Sequence, residues 1–214
     1  MVLCLSCSEE DSTLNFEKDY YEVQLLDQPQ YIEFHTTSND LEVIVENREL
    51  LNVEIDGNKL KLYAKSKGET TITVKNNYDK VQIIVRIVDS YLSFHIGEPV
   101  SIDGKFAKHD RLFLINNSNR DFYVLNDFFE IKIYGTYLFN WKNEKLYLSL
   151  MYDSKEDVYD ISGSSYELKY NIFPIYLNLT RGAMPIIMKA EDITSDVINY
   201  FILDKCDFPY NILR

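Results

Sequence analysis

The chain has 214 residues, 46% of them hydrophobic, enough to build a core in one large or two small domains. Its formal net charge of -12 argues against a nucleic-acid partner, because phosphate contacts need a basic face. No stretch reaches the roughly 18 uninterrupted apolar residues of a membrane-spanning helix.

In chain order, the first informative stretch is Leu5-Ser6-Cys7-Ser8-Glu9-Glu10-Asp11. A small residue precedes a cysteine, and an acidic polar run follows that stays solvated as a tether. The stretch resembles the processing site of a bacterial lipoprotein, and its acidic tail resembles the surface-export signal of Bacteroidetes-type lipoproteins. The resemblance implies lipidation at Cys7 and a lipid anchor to the membrane. It places the protein in the cell envelope, at the outer membrane or cell surface. Each buried CH2 of an acyl chain contributes about 0.8 kcal/mol, so a multiply acylated cysteine anchors firmly. Cys4 stands where such sites carry an aliphatic residue. A full leader, with an apolar core of roughly 7–15 residues, would start upstream of Met1. Residues 1–17 are therefore read as signal remnant and tether. Cys206 would be the one thiol left in the mature chain, so no internal disulfide is expected. No Cys/His cluster points to zinc, and no cofactor is expected.

Composition then divides the chain. Residues 1–89 hold 17 acidic and 9 basic side chains, while 12 of the 17 Tyr and 10 of the 12 Phe follow residue 89. Such a shift predicts two modules, 18–89 and 90–214.

In the first module, alternation with period two predicts half-buried strands. Tyr21, Val23 and Leu25 share one face. Ile32 and Phe34 follow, then Leu41, Val43 and Val45, then Val53 and Ile55. Asp56-Gly57-Asn58 reads as a tight turn, since Gly tolerates positive φ. Leu60 and Leu62, Ile72 and Val74, and the run Val81–Val88 complete seven short strands, the pattern of a β-sandwich. The sequence Val53-Glu54-Ile55-Asp56-Gly57-Asn58-Lys59-Leu60, followed by Gly68-Glu69-Thr70-Thr71-Ile72-Thr73-Val74, resembles the second half of a bacterial Ig-like (Big-type) module. That resemblance implies a spacer or adhesion module without chemistry of its own.

In the second module, strands are predicted at Leu92–Ile96, Val100–Ile102, Arg111–Ile115, Phe122–Leu125, Phe129–Tyr134, Thr136–Trp141, Lys145–Tyr152, Tyr166–Asn171 and Ile175–Leu179. Asp153 to Ser165 reads as a polar connector. Ile193, Val197 and Phe201 recur every four residues, with Ile198 and Ile202 beside them. This predicts a C-terminal helix near 192–205, capped by Asp192 or Thr194. The expected fold is mainly β: an Ig-like sandwich, then a second antiparallel β domain, barrel or sandwich, with that helix.

The sharpest chemical feature is the row Tyr137, Phe139 and Trp141, which alternation places on one strand face. If Lys142-Asn143 forms the hairpin loop, the row shares its face with Leu146 and Leu148 and is core. If the loop is Lys142 to Glu144, the row joins Tyr147 in an aromatic platform on which sugar rings can stack. A one-residue slip separates the two, and interiors are the commoner home of large aromatics. Asp153, Glu156, Asp157 and Asp160 do not meet the calcium-loop template, because Lys155 intrudes and no glycine makes the sharp turn. His35, His95 and His109 are scattered, and no nucleophile elbow, P-loop or dinucleotide fingerprint occurs. Cys206 reads as a small buried hydrophobe.

The expected function is non-catalytic binding of a glycan, a peptide or an envelope partner protein. The alternative is a structural subunit or spacer of a surface assembly, using strand edges as contacts. An extracellular enzyme acting on a polymer would need clustered acids that spacing alone does not reveal.

Overall fold

The computed structural model describes residues 14–38, 40–97, 105–165, 168, 185–195, 197–209 and 212. Cys7, the tether and the strands predicted at Val100–Ile102, Tyr166–Asn171 and Ile175–Leu179 lie wholly or largely outside them. The chain divides into two compact units, at residues 88 and 89.

The first unit is a β-sandwich. One sheet has the order β1-β3-β6-β5, from Asn15–Phe16, Gln30–His35, Lys59–Ala64 and Leu51–Asp56. The other has the order β2-β8-β7-β4, from Tyr20–Leu25, Lys80–Asp89, Gly68–Lys75 and Glu42–Val45. Alternation does what the sequence predicts. Ile32 and Phe34 of β3, Leu60 and Leu62 of β6, Ile72 and Val74 of β7, and Ile83 and Val85 of β8 point into one shared core. Each such side chain contributes roughly 1.5–3 kcal/mol on burial. β5 and β6 meet at Asp56↔Lys59, so Gly57 and Asn58 form the tight loop, and Gly57 has φ +58°.

The second unit is an eight-stranded barrel in which every strand pairs with its sequence neighbours. It runs β9 Tyr91–Ile96, β10 Arg111–Ile115, β11 Asp121–Leu125, β12 Ile131–Lys142, β13 Lys145–Tyr152, β14 Lys155–Asp160, β15 Ile187–Asp192 and β16 Ile198–Asp204. β16 then pairs with β9 and closes the barrel. All pairings are antiparallel, which makes this an up-and-down barrel. Eight strands leave an interior about wide enough for side chains. Phe94, Leu112, Leu114, Phe122, Val124, Tyr137, Leu148, Tyr159, Met188 and Phe201 occupy it. Phe106, from the β9–β10 connection, closes one end by packing edge-on against Phe201, ring centroids 5.2 Å apart. That connection is pinned on both sides of Phe106. Lys105 Nζ lies 2.7 Å from Asp157, and buried Asp110 accepts from the Ala107 amide (2.8 Å) and Lys132 Nζ (2.5 Å).

Three expectations are corrected. The C-terminal helix is strand β16. Spacing by four is also a multiple of two, and Asn199, Phe201 and Leu203 alternate inward. Asp192 does cap, but it caps a turn: its carboxylate accepts from the Thr194 amide at 2.8 Å. The polar connector contains β14, because inward Asp157 meets Lys105 and the Tyr152 hydroxyl and so tolerates its position. The strands predicted at Phe129–Tyr134 and Thr136–Trp141 are one strand, β12, continuous through Gly135.

Outside the barrel wall, Phe208 packs edge-on against Phe113 (4.8 Å) and Tyr123 (5.3 Å), and its amide donates to the Tyr91 hydroxyl at 3.0 Å. The segment after β16 thus covers the outer face of β9, β10 and β11. Cys206, within it, is half-buried.

Candidate functional site

The β12–β13 hairpin decides where the aromatic row points. Lys142 pairs with Lys145 and Trp141 with Leu146, so the two-residue loop is Asn143-Glu144. Both loop residues have positive φ, 50° and 63°, the signature of the primed turn that matches strand twist. Neither loop considered from the sequence is the one formed. The face relation is nonetheless that of the core register, with Phe139 opposite Leu148 and Tyr137 opposite Leu150.

Exposure rises along the row. Tyr137 is 2% exposed, Phe139 packs on the core edge, and Trp141 near the hairpin tip is 50% exposed. The Tyr137 hydroxyl donates to the Ile115 carbonyl at 3.0 Å, and burial pushes its pKa up to about 12. Tyr147 pairs with Asn140 and stands on the opposite, outward face. The structure therefore does not gather Tyr137, Phe139, Trp141 and Tyr147 into one platform. Trp141 is the single indole of the chain. Its emission is expected to lie red of a buried indole and to be quenched by acrylamide; blue, unquenched emission would contradict this placement.

The outward face of the hairpin carries exposed apolar side chains. Tyr134 (66% exposed), Leu138 (52%) and Met151 stand there with Tyr147. Phe128, Phe129 and Ile131, at the turn leading into β12, are exposed as well.

The acidic side chains of 153–160 do not converge. Asp157 points inward, toward Lys105 and the Tyr152 hydroxyl. Asp160 points outward, where Lys145 Nζ lies 2.7 Å away. Burial raises the Asp160 pKa, but bonds from Lys145 and Ser162 outweigh it and hold the carboxyl below its ordinary value. Burial, and then the bond to Asp157, push Tyr152 up to about 12.

A second feature lies beside the barrel's Phe106 end. A cavity of about 440 Å³ is lined by His95, Ile96, Gly97, Lys108, His109, Arg111, Asp127 and Asp204. Strand register assembles it, since His95 pairs with Arg111 on β10 and with Ile202 on β16, two residues from Asp204. Arg111 Nη1 lies 2.5 Å from Asp204 Oδ2, and His95 Nδ1 lies 3.9 Å from the same oxygen. The Phe129 ring sits 5.9 Å from the Arg111 guanidinium. The sequence carried no spacing signal for this group, because its members come from four separated segments. His35 ends β3 in the other unit.

Fold and surface together define a mainly β chain of two units, a sandwich and a side-chain-filled up-and-down barrel. No protein-family model matches the chain, and no curated protein matches it. Among solved structures it is similar to parts of the surface layer protein SbsC. Domains 4–9 align at 14% identity and TM-score 0.32, over 71% of this chain and 29% of that one. Domains 1–6 align at 13% and 0.34, over 70% and 24%. Domains 5–6 align at 14% and 0.31, over 90% and 83%. The chain spans 29% and 24% of the lengths of the first two, and TM-scores in this range do not define a shared fold.

Proposed function

We propose that the chain is a non-catalytic lipoprotein of the cell envelope, anchored through Cys7, whose barrel unit binds an envelope partner on its outer surface. One observation carries the binding reading: the barrel interior is filled by side chains while Tyr134, Leu138, Met151 and Tyr147 gather on its outside. Contiguous exposed apolar residues with polar surroundings mark interaction surfaces. Trp141 adds an aromatic edge at the hairpin tip. The lipid anchor rests on the Leu5–Asp11 stretch alone.

Two measurements test the proposal. Wild-type protein should fractionate with membranes and carry acyl mass on Cys7, and Cys7→Ala should be released to the soluble fraction. A photo-crosslinking residue at position 138 should give a discrete adduct that the same residue at position 54 of β5 does not. Identical adduct patterns from the two positions would refute the surface. An adduct to a second copy of the chain would favour a structural subunit over a binding protein.

A further inference from the structure

The turn that leads into β12 is built to hold one aromatic ring in solvent. Asn126 is its clasp. The Asn126 Oδ1 accepts from the Phe128 and Glu130 amides, each at 2.9 Å, and the Asn126 amide donates to the Glu130 carbonyl at 2.9 Å. Asn126 Nδ2 donates to Glu130 Oε2 at 2.8 Å, and the Asn126 carbonyl accepts from the Phe129 amide at 2.9 Å. Phe129 takes a φ of +59°, a conformation bulky residues seldom adopt. The result is that Phe128 stands 84% exposed. A large aromatic presented in this way is suited to anchor an interface by filling a pocket on the partner.

A pocket that fits it lies alongside. Asp127, the residue before Phe128, is in the wall of the cavity beside the β9–β10 connection. At about 440 Å³, that cavity has the volume of a small-molecule site and takes a phenyl ring with room to spare. We infer that two copies of the chain pair about a two-fold axis between these features, each inserting Phe128 into the other's cavity. A projection next to a hollow on one surface is self-complementary under a two-fold rotation, which is what a closed, isologous dimer requires.

The charges agree with this occupant. The lining is formally neutral, with Lys108 and Arg111 against Asp127 and Asp204, so it suits an uncharged ring better than an ion. Arg111 is already engaged by Asp204 at 2.5 Å. The exposed charges are divided between two elements, Lys108 on the connection and Asp127 with Glu130 on the turn. The two-fold rotation sets the acidic turn of one copy against the basic connection of the other, and such complementarity fixes the register of an interface. The contact does not use the hairpin face of Tyr134, Leu138, Met151 and Tyr147, so it stands or falls separately from the function proposed above.

Sedimentation equilibrium of the full chain under reducing conditions is the test. The wild type is expected to show a monomer–dimer equilibrium in the micromolar range. Phe128→Ala should weaken it at least about tenfold, a factor of ten being 1.4 kcal/mol. The melting temperature should not change, since so exposed a ring supports no core. His95→Trp should weaken the dimer as well, because it fills the cavity from a partly exposed position on the outer wall and leaves Phe128 in place. The two variants mixed should associate more tightly than either alone. Phe128 of the His95→Trp chain can enter the open cavity of the Phe128→Ala chain, which restores one contact of the two. A monomeric wild type would overturn the inference, as would undiminished dimerisation of Phe128→Ala. A mixture that associates no more tightly than its components would overturn it too.

Discussion

Gly135→Ala is expected to destabilise the barrel by about 3 kcal/mol or more, although it adds a single methyl. On an ordinary strand the same change is stabilising, because glycine loses the most conformational freedom on folding. Gly135 sits inside β12, opposite Phe122. A Cβ there would lie 2.0 Å from the Met151 carbonyl oxygen and 3.0 Å from Phe122 Cε1. The oxygen belongs to the backbone of β13, which is paired with β12 at Thr136↔Met151. It cannot withdraw without opening that ladder. Overpacking a core by a methylene costs typically 1–3 kcal/mol when side chains can give way, and here a strand must move. Against the 5–15 kcal/mol of a typical domain, that is a large fraction. Denaturant unfolding followed by Trp141 emission reads the barrel unit selectively, because the chain has one tryptophan. An unchanged midpoint would show that β12 and β13 do not approach so closely.

The second large effect is expected at Phe106. Phe106→Ala should cost about 3–5 kcal/mol, the range for emptying a buried aromatic site. Its ring is buried against Phe201 and Tyr159, and the flanking contacts of Lys105 and Asp110 hold its backbone in place. The neighbours cannot collapse into the space, since Phe201 and Tyr159 are fixed by their own strands. Phe106→Leu should recover more than half of the loss. A thermal melt in which the alanine variant falls by only the equivalent of about 1 kcal/mol would mean that Phe106 rests on the surface and does not cap the barrel.

These two sites show why the sequence disclosed the sandwich better than the barrel. In β3, β6, β7 and β8 the inward residues are Ile, Leu, Val, Phe and Thr at every second position, so face and period are both visible. In the barrel, inward positions include Asp157 and Asn199. Asp157 is held there by the Tyr152 hydroxyl and by Lys105, about fifty residues earlier in the chain, and a local pattern cannot show the second of these pairings. Asn199 interrupted the alternation of β16, and the remaining apolar residues fell by chance on a helical spacing. The hairpin register was hidden for a different reason. Asn143 and Glu144 both adopt positive φ, which the usual asparagine–glycine pair would have announced and glutamate does not. The row Tyr137, Phe139 and Trp141 was visible, but its gradient of exposure depends on where the hairpin tip ends. The cavity at His95, Arg111 and Asp204 could not be read at all, because barrel closure brings those residues together across about 110 positions of chain.

That closure also determines how the barrel answers to tension. The strand that enters it and the strand that leaves it are hydrogen-bonded neighbours, with Ser93 opposite Asp204, and the two chain ends emerge side by side. Pulling them apart first strips the segment after β16, where Phe208 packs on Phe113 and Tyr123, and then loads the ladder from one end, where the Ser93 hydroxyl bonds the Asp204 carbonyl at 2.6 Å. The bonds would then break one after another, as a zipper opens, instead of resisting together as they do under shear. A barrel threaded in this way is mechanically soft along its own chain.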